Sequence, residues 1–154
     1  MANERSSHEL DAPPWLRVET TLMATARALR QAYDRRLEPL GLHLSQASLL
    51  AYVAEVGSQP QTRIAERLGL GRAATGSMID ALEARDLVRR GPDPDDRRVW
   101  LVEITAAGKE LADRVADVDQ TLRRELRAGT TKQDRQQLAA ILLRLQANLA
   151  EVLD

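Results

Sequence analysis

The chain contains no cysteine. That absence excludes disulfides, thiolate zinc sites and thiol redox switches, so anything this protein senses is sensed by other chemistry. Histidine is nearly absent too. His8 and His43 are the whole supply, which with no thiols argues against a metal site and leaves a single base, His43, inside the ordered part of the pattern. There is no glycine-rich phosphate loop and no metal-ligand spacing, and an enzyme is not expected. No run approaches the roughly 18 to 20 apolar residues of a membrane span, and the first fifteen residues, MANERSSHELDAPPW, have no apolar signal core. These features point to a cytoplasmic protein. A net positive charge is missing as well: Lys plus Arg number 22 against 23 Asp plus Glu, so total charge offers no support for a polyanionic partner. Lysine is confined to Lys109 and Lys132, and the remaining cations are arginines, the side chain suited to forked phosphate and guanine contacts.

What is present is enough for one fold unit with a real core. The chain has 154 residues, 44% hydrophobic and 29% charged, within the range of folded domains. Residues 1–14 are polar and aperiodic and read as a flexible arm. A first helix is predicted from about Trp15 to Glu38, with Leu16, Leu22, Met23, Ala26, Leu29, Tyr33 and Leu37 at threes and fours, closed by Pro39 and Gly41. Ser45 is the expected N-cap of a second helix through Leu49, Leu50, Val53 and Val56, ended by Gly57. Two short helical patterns follow, with inner faces at Ile64, Ala65 and Leu68, then at Met78, Ile79 and Leu82, separated by Gly69-Leu70-Gly71. This is a helix-turn-helix pattern.

After Arg85 the period changes from helical to alternating. Leu87–Arg90 and Arg98–Ile104 flank Gly91-Pro92-Asp93-Pro94-Asp95-Asp96-Arg97, whose residue types suit a turn. A β-hairpin with a charged tip is predicted, with Trp100, Val102 and Ile104 facing inward. Thr105 caps a long helix bearing Leu111, Val115, Val118, Leu122 and Leu126, and Thr131 starts a last one bearing Leu138, Ile141, Leu142, Leu145, Leu149 and Val152. The apolar set of the last helix is wide for a lone terminal helix and implies a partner surface.

Helix, helix, hairpin is the winged helix order, and the residues resemble the MarR family of transcriptional regulators from about Trp15 to Leu153. The resemblance rests on Ile64–Gly69, on Ile79–Arg90, and above all on Asp93–Val99 leading to Ile104-Thr105-Ala106-Ala107-Gly108. It implies a mainly α fold with a small β-hairpin wing: a winged helix-turn-helix over 45–104 within a single unit at 15–154, with dimerisation helices at 15–40 and 105–153. It also implies a sequence-specific dimeric DNA-binding regulator, a repressor relieved by a small effector. In the helix from about Arg72, the face opposite Met78, Ile79 and Leu82 carries Arg72, Ala73, Gly76, Ser77 and Asp80, small or polar enough for close approach to base edges, with Thr75 beside them. The family more often carries Ser or Thr at positions 73, 74 and 76, so a larger share of specificity here is expected from DNA shape and the wing.

At the wing the resemblance assigns Arg98 to the minor groove and Asp96 to a salt bridge holding it, with Arg97, Arg89 and Arg90 on phosphates or solvated. Two copies related by a two-fold axis imply a palindromic operator in double-stranded DNA with half-sites about one turn apart. Small aromatic or phenolic compounds are the family's usual effectors. Trp15, Arg17, Tyr33, His43 and Tyr52 are the candidate lining residues by position, although Trp15 and Tyr52 suit core or interface positions equally well. No cofactor or metal is expected. The rival function is a winged helix used only for protein contacts, against which the exposed Asp96-x-Arg98 tip argues.

Overall fold

The structure is a computed structural model that describes Pro13, Trp15 and residues 17–153. The arm expected over residues 1–14 therefore lies, apart from Pro13, outside the described residues, as does Leu16. The first helix, α1, is Val18–Leu37, and a single 3-10 turn at Glu38–Leu40 carries Pro39. Gly41 closes the corner at φ 66°, a left-handed conformation that glycine adopts at no steric cost. The second helix, α2, is Leu44–Val56. Its N-cap is His43 and not Ser45: His43 Nδ1 accepts from the Gln46 amide at 3.4 Å while Gln46 Oε1 accepts from the His43 amide at 3.2 Å. Asp34 of α1 accepts from the Leu44 amide at 2.7 Å, so α1 also satisfies the start of α2.

A two-residue strand, β1, at Gln59–Pro60 leads directly into α3, Gln61–Leu68. Gly69 ends α3 at φ 63°, and α4, Arg72–Glu83, begins after Gly71. The turn out of α4 places Asp86 at φ 56°, in a conformation that aspartate tolerates better than most non-glycine residues. Strands β2, Val88–Pro92, and β3, Trp100–Ile104, form the hairpin. The sheet is antiparallel with order β1-β3-β2 and registers Val88 on Ile104, Arg90 on Val102 and Pro92 on Trp100. The sequence pattern missed β1, because two residues carry no alternation, and Pro60 is tolerated there at a sheet edge.

Two compact units make up the chain, Met1–Asp119 and Gln120–Asp154. The core of the first is built on α2, which buries Ala47, Leu49, Leu50 and Val53. Around it lie Leu37, Leu42, Ile64, Ile79, Leu82, Leu87, Val88 and Val102, with Leu111, Ala112 and Val115 from the helix that follows β3. That helix, α5, is Ala106–Leu126. Its start is fixed by Thr105, whose hydroxyl donates to Asp86 O at 2.6 Å and accepts from the Gly108 amide at 3.0 Å. A β-carbon at Gly108 would run into Leu87 O, so the Thr-x-x-Gly junction is a place where backbone meets backbone.

The second unit holds the end of α5, a turn with Gly129 at φ 77°, and α6, Lys132–Leu153. Thr131 and Asp134 form its capping box: Asp134 Oδ2 accepts from the Thr131 amide at 2.8 Å, and Thr131 Oγ1 accepts from the Asp134 amide at 3.1 Å. No α6 residue is buried. Among the described residues no helix is long and apolar enough to cross a membrane.

Candidate nucleic-acid interface

The face expected to read DNA starts at the N-terminal turn of α4. Arg72, Ala73 and Ser77 are exposed there, and the Ser77 hydroxyl is turned back to Ala73 O at 3.1 Å. Thr75 departs from expectation. It is completely buried, its hydroxyl donating to Gly71 O at 3.0 Å, because position 75 falls on the same side as Ile79 and Leu82, the side that packs into the core. Gly76 is half-buried, and a β-carbon there would lie 3.1 Å from the Gln61 side-chain amide of α3. That amide donates to Arg72 O at 3.4 Å. The missing side chain at Gly76 thus makes room for a bracket between the two helices, a role that sequence spacing alone could not assign.

At the wing tip Asp93, Asp95, Asp96, Arg97 and Arg98 form two tight turns. Asp93 Oδ1 accepts from the Asp95 amide at 2.8 Å, Asp96 Oδ1 accepts from the Arg98 amide at 3.0 Å, and Asp93 N donates to Val99 O at 2.8 Å. The expected Asp96–Arg98 link therefore runs through the backbone, in the local pattern by which aspartate stabilises turns. No ion pair joins the two side chains among the described residues. The aspartates set the turn, and the guanidinium groups of Arg97 and Arg98 project from an exposed tip. Trp100, expected inward with Val102, is 58% exposed, since the strand at that point extends past the core that covers Val102.

The arginines below the tip are engaged within the protein. Arg89 Nε donates to Glu103 Oε2 at 2.9 Å, across the register that pairs the two residues. Arg90 reaches back to α4: its guanidinium donates to Glu83 Oε2 at 2.5 Å and to Asp80 Oδ1 at 2.6 Å, while its backbone amide donates to Glu83 Oε1 at 2.9 Å. Burial acts to lower the Arg90 pKa, but the hydrogen bonds and charges of Asp80 and Glu83 outweigh it and hold the group above its ordinary value. Arg85 spans the molecule differently, donating to Gly41 O at 2.6 Å and Leu40 O at 3.0 Å. Between Arg63 and Arg98 eight arginines stand against seven acids, and geometry divides them. Arg72, Arg97 and Arg98 have no carboxylate partner among the described residues, whereas Arg89 and Arg90 do.

The five effector candidates do not converge. Tyr33 alone lines an apolar cavity of about 220 Å³, together with Leu37, Leu44, Ala47, Ser48, Ala51, Val115, Ala116 and Asp119. Its hydroxyl donates to Asp119 Oδ1 at 2.7 Å. His43 is spent as the α2 cap, Tyr52 lies in a separate groove with Arg63, Glu66 and Arg67, and Trp15 and Arg17 are exposed ahead of α1. Asp119 and Ser48 carried no sequence signal, because the cavity is assembled from positions far apart in the chain.

With the fold in place, comparison with known proteins is informative. A sequence model described as the MarR family matches residues 40–99, the stretch from the α1–α2 corner to the wing tip. Over that stretch the chain is similar to the MarR family. It is 32% identical over 99 residues to the uncharacterized HTH-type transcriptional regulator YhbI of Bacillus subtilis, covering 62% of this chain and 64% of that protein. Among solved structures it is similar to MepR of S. aureus in complex with DNA, at TM-score 0.78 and 19% identity, over 85% of this chain and 97% of that one. It is also similar to BpsR of Bordetella bronchiseptica, whose DNA binding is regulated by 6-hydroxynicotinic acid, at TM-score 0.80 and 18% identity over 88% and 96%. At these identities the likeness is one of fold. The chain has a winged-helix fold, with β1 and the hairpin as its sheet and α3–α4 as its helix-turn-helix.

Proposed function

We propose that this chain is a sequence-specific DNA-binding transcriptional regulator that acts as a homodimer on a palindromic site, a repressor relieved by a small aromatic or phenolic effector. The observation that carries it is the set of three arginines without carboxylate partners among the described residues, Arg72 at the start of α4 and Arg97 and Arg98 at the wing tip. They sit at the two places where a winged helix-turn-helix meets the major and minor grooves. The tip turns are held by aspartate-to-backbone hydrogen bonds, which leaves the guanidinium groups to a partner of opposite charge.

The test is a shift assay with a duplex covering the DNA beside the protein's own coding sequence, against an unrelated duplex of equal length. Arg98→Ala is expected to lower affinity for the first by about 10-fold or more, the scale of one or two kcal/mol for a specific contact, with an unchanged melting temperature. Unchanged affinity removes the wing from the reading. Equal, weak affinity of the wild-type protein for both duplexes favours the protein-contact alternative.

The cavity beside Tyr33 supports the effector half of the reading. At about 220 Å³ it is smaller than the roughly 300–1,000 Å³ of drug-sized pockets, so it suits a single ring, with the Tyr33–Asp119 hydrogen bond as a polar feature of its lining. Phenols and aromatic acids titrated against the DNA complex should release it in the wild-type protein and fail to do so in Ala51→Trp. No release by any of them leaves a regulator without this control.

A further inference from the structure

Two carboxylates lie along the part of α4 that would face DNA. Positions 73, 76, 77, 80 and 83 are spaced by threes and fours and share one stripe of the helix. Ala73, Ser77 and Asp80 on it are exposed, the Asp80 side chain at 68%. Two negative charges on a groove-facing helix oppose the dense phosphate charge of a duplex. Among the described residues the only cation placed on them is Arg90 of β2, which the sequence reading put on phosphate or in solvent. Its side chain is only 26% exposed, and its guanidinium spans Asp80 and Glu83 while Glu83 also takes its backbone amide.

We infer that Arg90 is a charge-masking and positioning residue: it contacts no phosphate, neutralises Asp80 and Glu83 on the reading helix, and ties that helix to the wing strand. The inference rests on the DNA-reading proposal above. It also accounts for how a chain with no net positive charge presents a positive reading face. A fork bonded to two carboxylates is the arrangement in which arginine holds position best, and the cross-link fixes the wing strand to the second half of α4.

A thermodynamic cycle separates masking from direct contact. Arg90→Met is made in the wild-type protein and in Asp80→Asn/Glu83→Gln, and affinity for the duplex beside the coding sequence is measured over a range of salt. Masking predicts a loss of about 10-fold or more in the wild-type background. In the neutralised background the loss falls within about threefold and the salt slope does not change, as expected of a residue that touches no phosphate. Equal losses in both backgrounds, with the slope falling by about one in the neutralised pair, would show a direct phosphate contact and overturn the assignment. No loss in either background overturns it as well. Where Arg90→Met alone does not fold because two carboxylates are left uncompensated, the neutralised pair, with and without Arg90, still measures the residue's own contribution. Absence of DNA affinity in the wild-type protein would sink both proposals, whereas any of the other adverse outcomes sinks this one alone.

Discussion

At the scale of single residues, this protein repeatedly uses side chains for backbone work where sequence suggested contact with a partner. Thr75 is the clearest case. Its hydroxyl serves Gly71 O and its methyl group lies in the core, so Thr75→Val is expected to leave DNA affinity within about twofold while costing about 1 kcal/mol of stability, the usual worth of one hydrogen bond. A shift assay and a urea titration check the two halves separately. Gly108 makes the opposite point. The space for a side chain is taken by Leu87 O, and Gly108→Ala forces β2 and the start of α5 apart. A loss of about 1–3 kcal/mol is expected from overpacking of this kind, read as a lower urea midpoint with an unchanged slope. Wild-type stability in that variant would mean that the junction is looser than its geometry indicates.

At the scale of elements, the ends of helices carry the conditional behaviour. The Thr131 amide and hydroxyl both donate to Asp134, and Arg135 adds to them, holding the Asp134 carboxyl below its usual range. A carboxyl depressed in the folded state stabilises above its unfolded pKa, and that contribution is lost as pH falls through the folded value. The first turn of α6 is therefore expected to loosen in acid, below the ordinary carboxylate range, and Asp134→Asn should remove most of this pH dependence. Amide exchange of the first α6 turn, followed from neutral pH downward in both proteins, measures it. Exchange equally pH-dependent in both would assign the effect to another group. The helix ends also show what local pattern can convey. Gly41, Gly69 and Gly129 end elements where sequence placed them, each at positive φ, because a left-handed residue is a local requirement. The α2 cap moved from Ser45 to His43 because Gln46 three residues on completes a box with His43.

At the scale of the whole molecule, the apolar surface left open on the helices outside the winged helix is the main unexplained quantity, and the dimer proposal is the reading that covers it. Leu138, Ile141, Leu145, Leu149 and Val152 recur by threes and fours on α6, and all are exposed, from 37% at Leu145 to 77% at Val152. On α1, Val18, Leu22, Met23 and Leu29 are exposed in the same way. Faces of this kind are covered by another chain far more often than they stand in water. The protein is expected to give a dimer mass by light scattering at micromolar concentration. Ile141→Asp with Leu145→Asp should give a monomer mass and a markedly weaker grip on a two-half-site duplex, since each copy then binds alone. A dimer mass that survives both substitutions would place the interface elsewhere. A monomer mass for the wild-type protein removes the dimer from the proposed function.

The sequence by itself determined what local chemistry controls. The change from a period of 3.6 to a period of 2 after Arg85 marked the hairpin, the glycines marked the helix ends, and Thr105 with Gly108 marked the start of α5, each through interactions among residues a few positions apart. The arginine-tipped wing and the family resemblance were legible for the same reason. Only the tertiary structure decided which charges are available. Arg90 and Arg98 are alike in sequence, but Arg90 lies within reach of Asp80 and Glu83 and Arg98 of no carboxylate among the described residues. Tyr33 and Asp119 close one cavity from opposite ends of the first unit, and Gly76 faces Gln61. Pairings of this kind depend on how helices pack against one another, and packing is set by the whole core at once, so no window of sequence contains it.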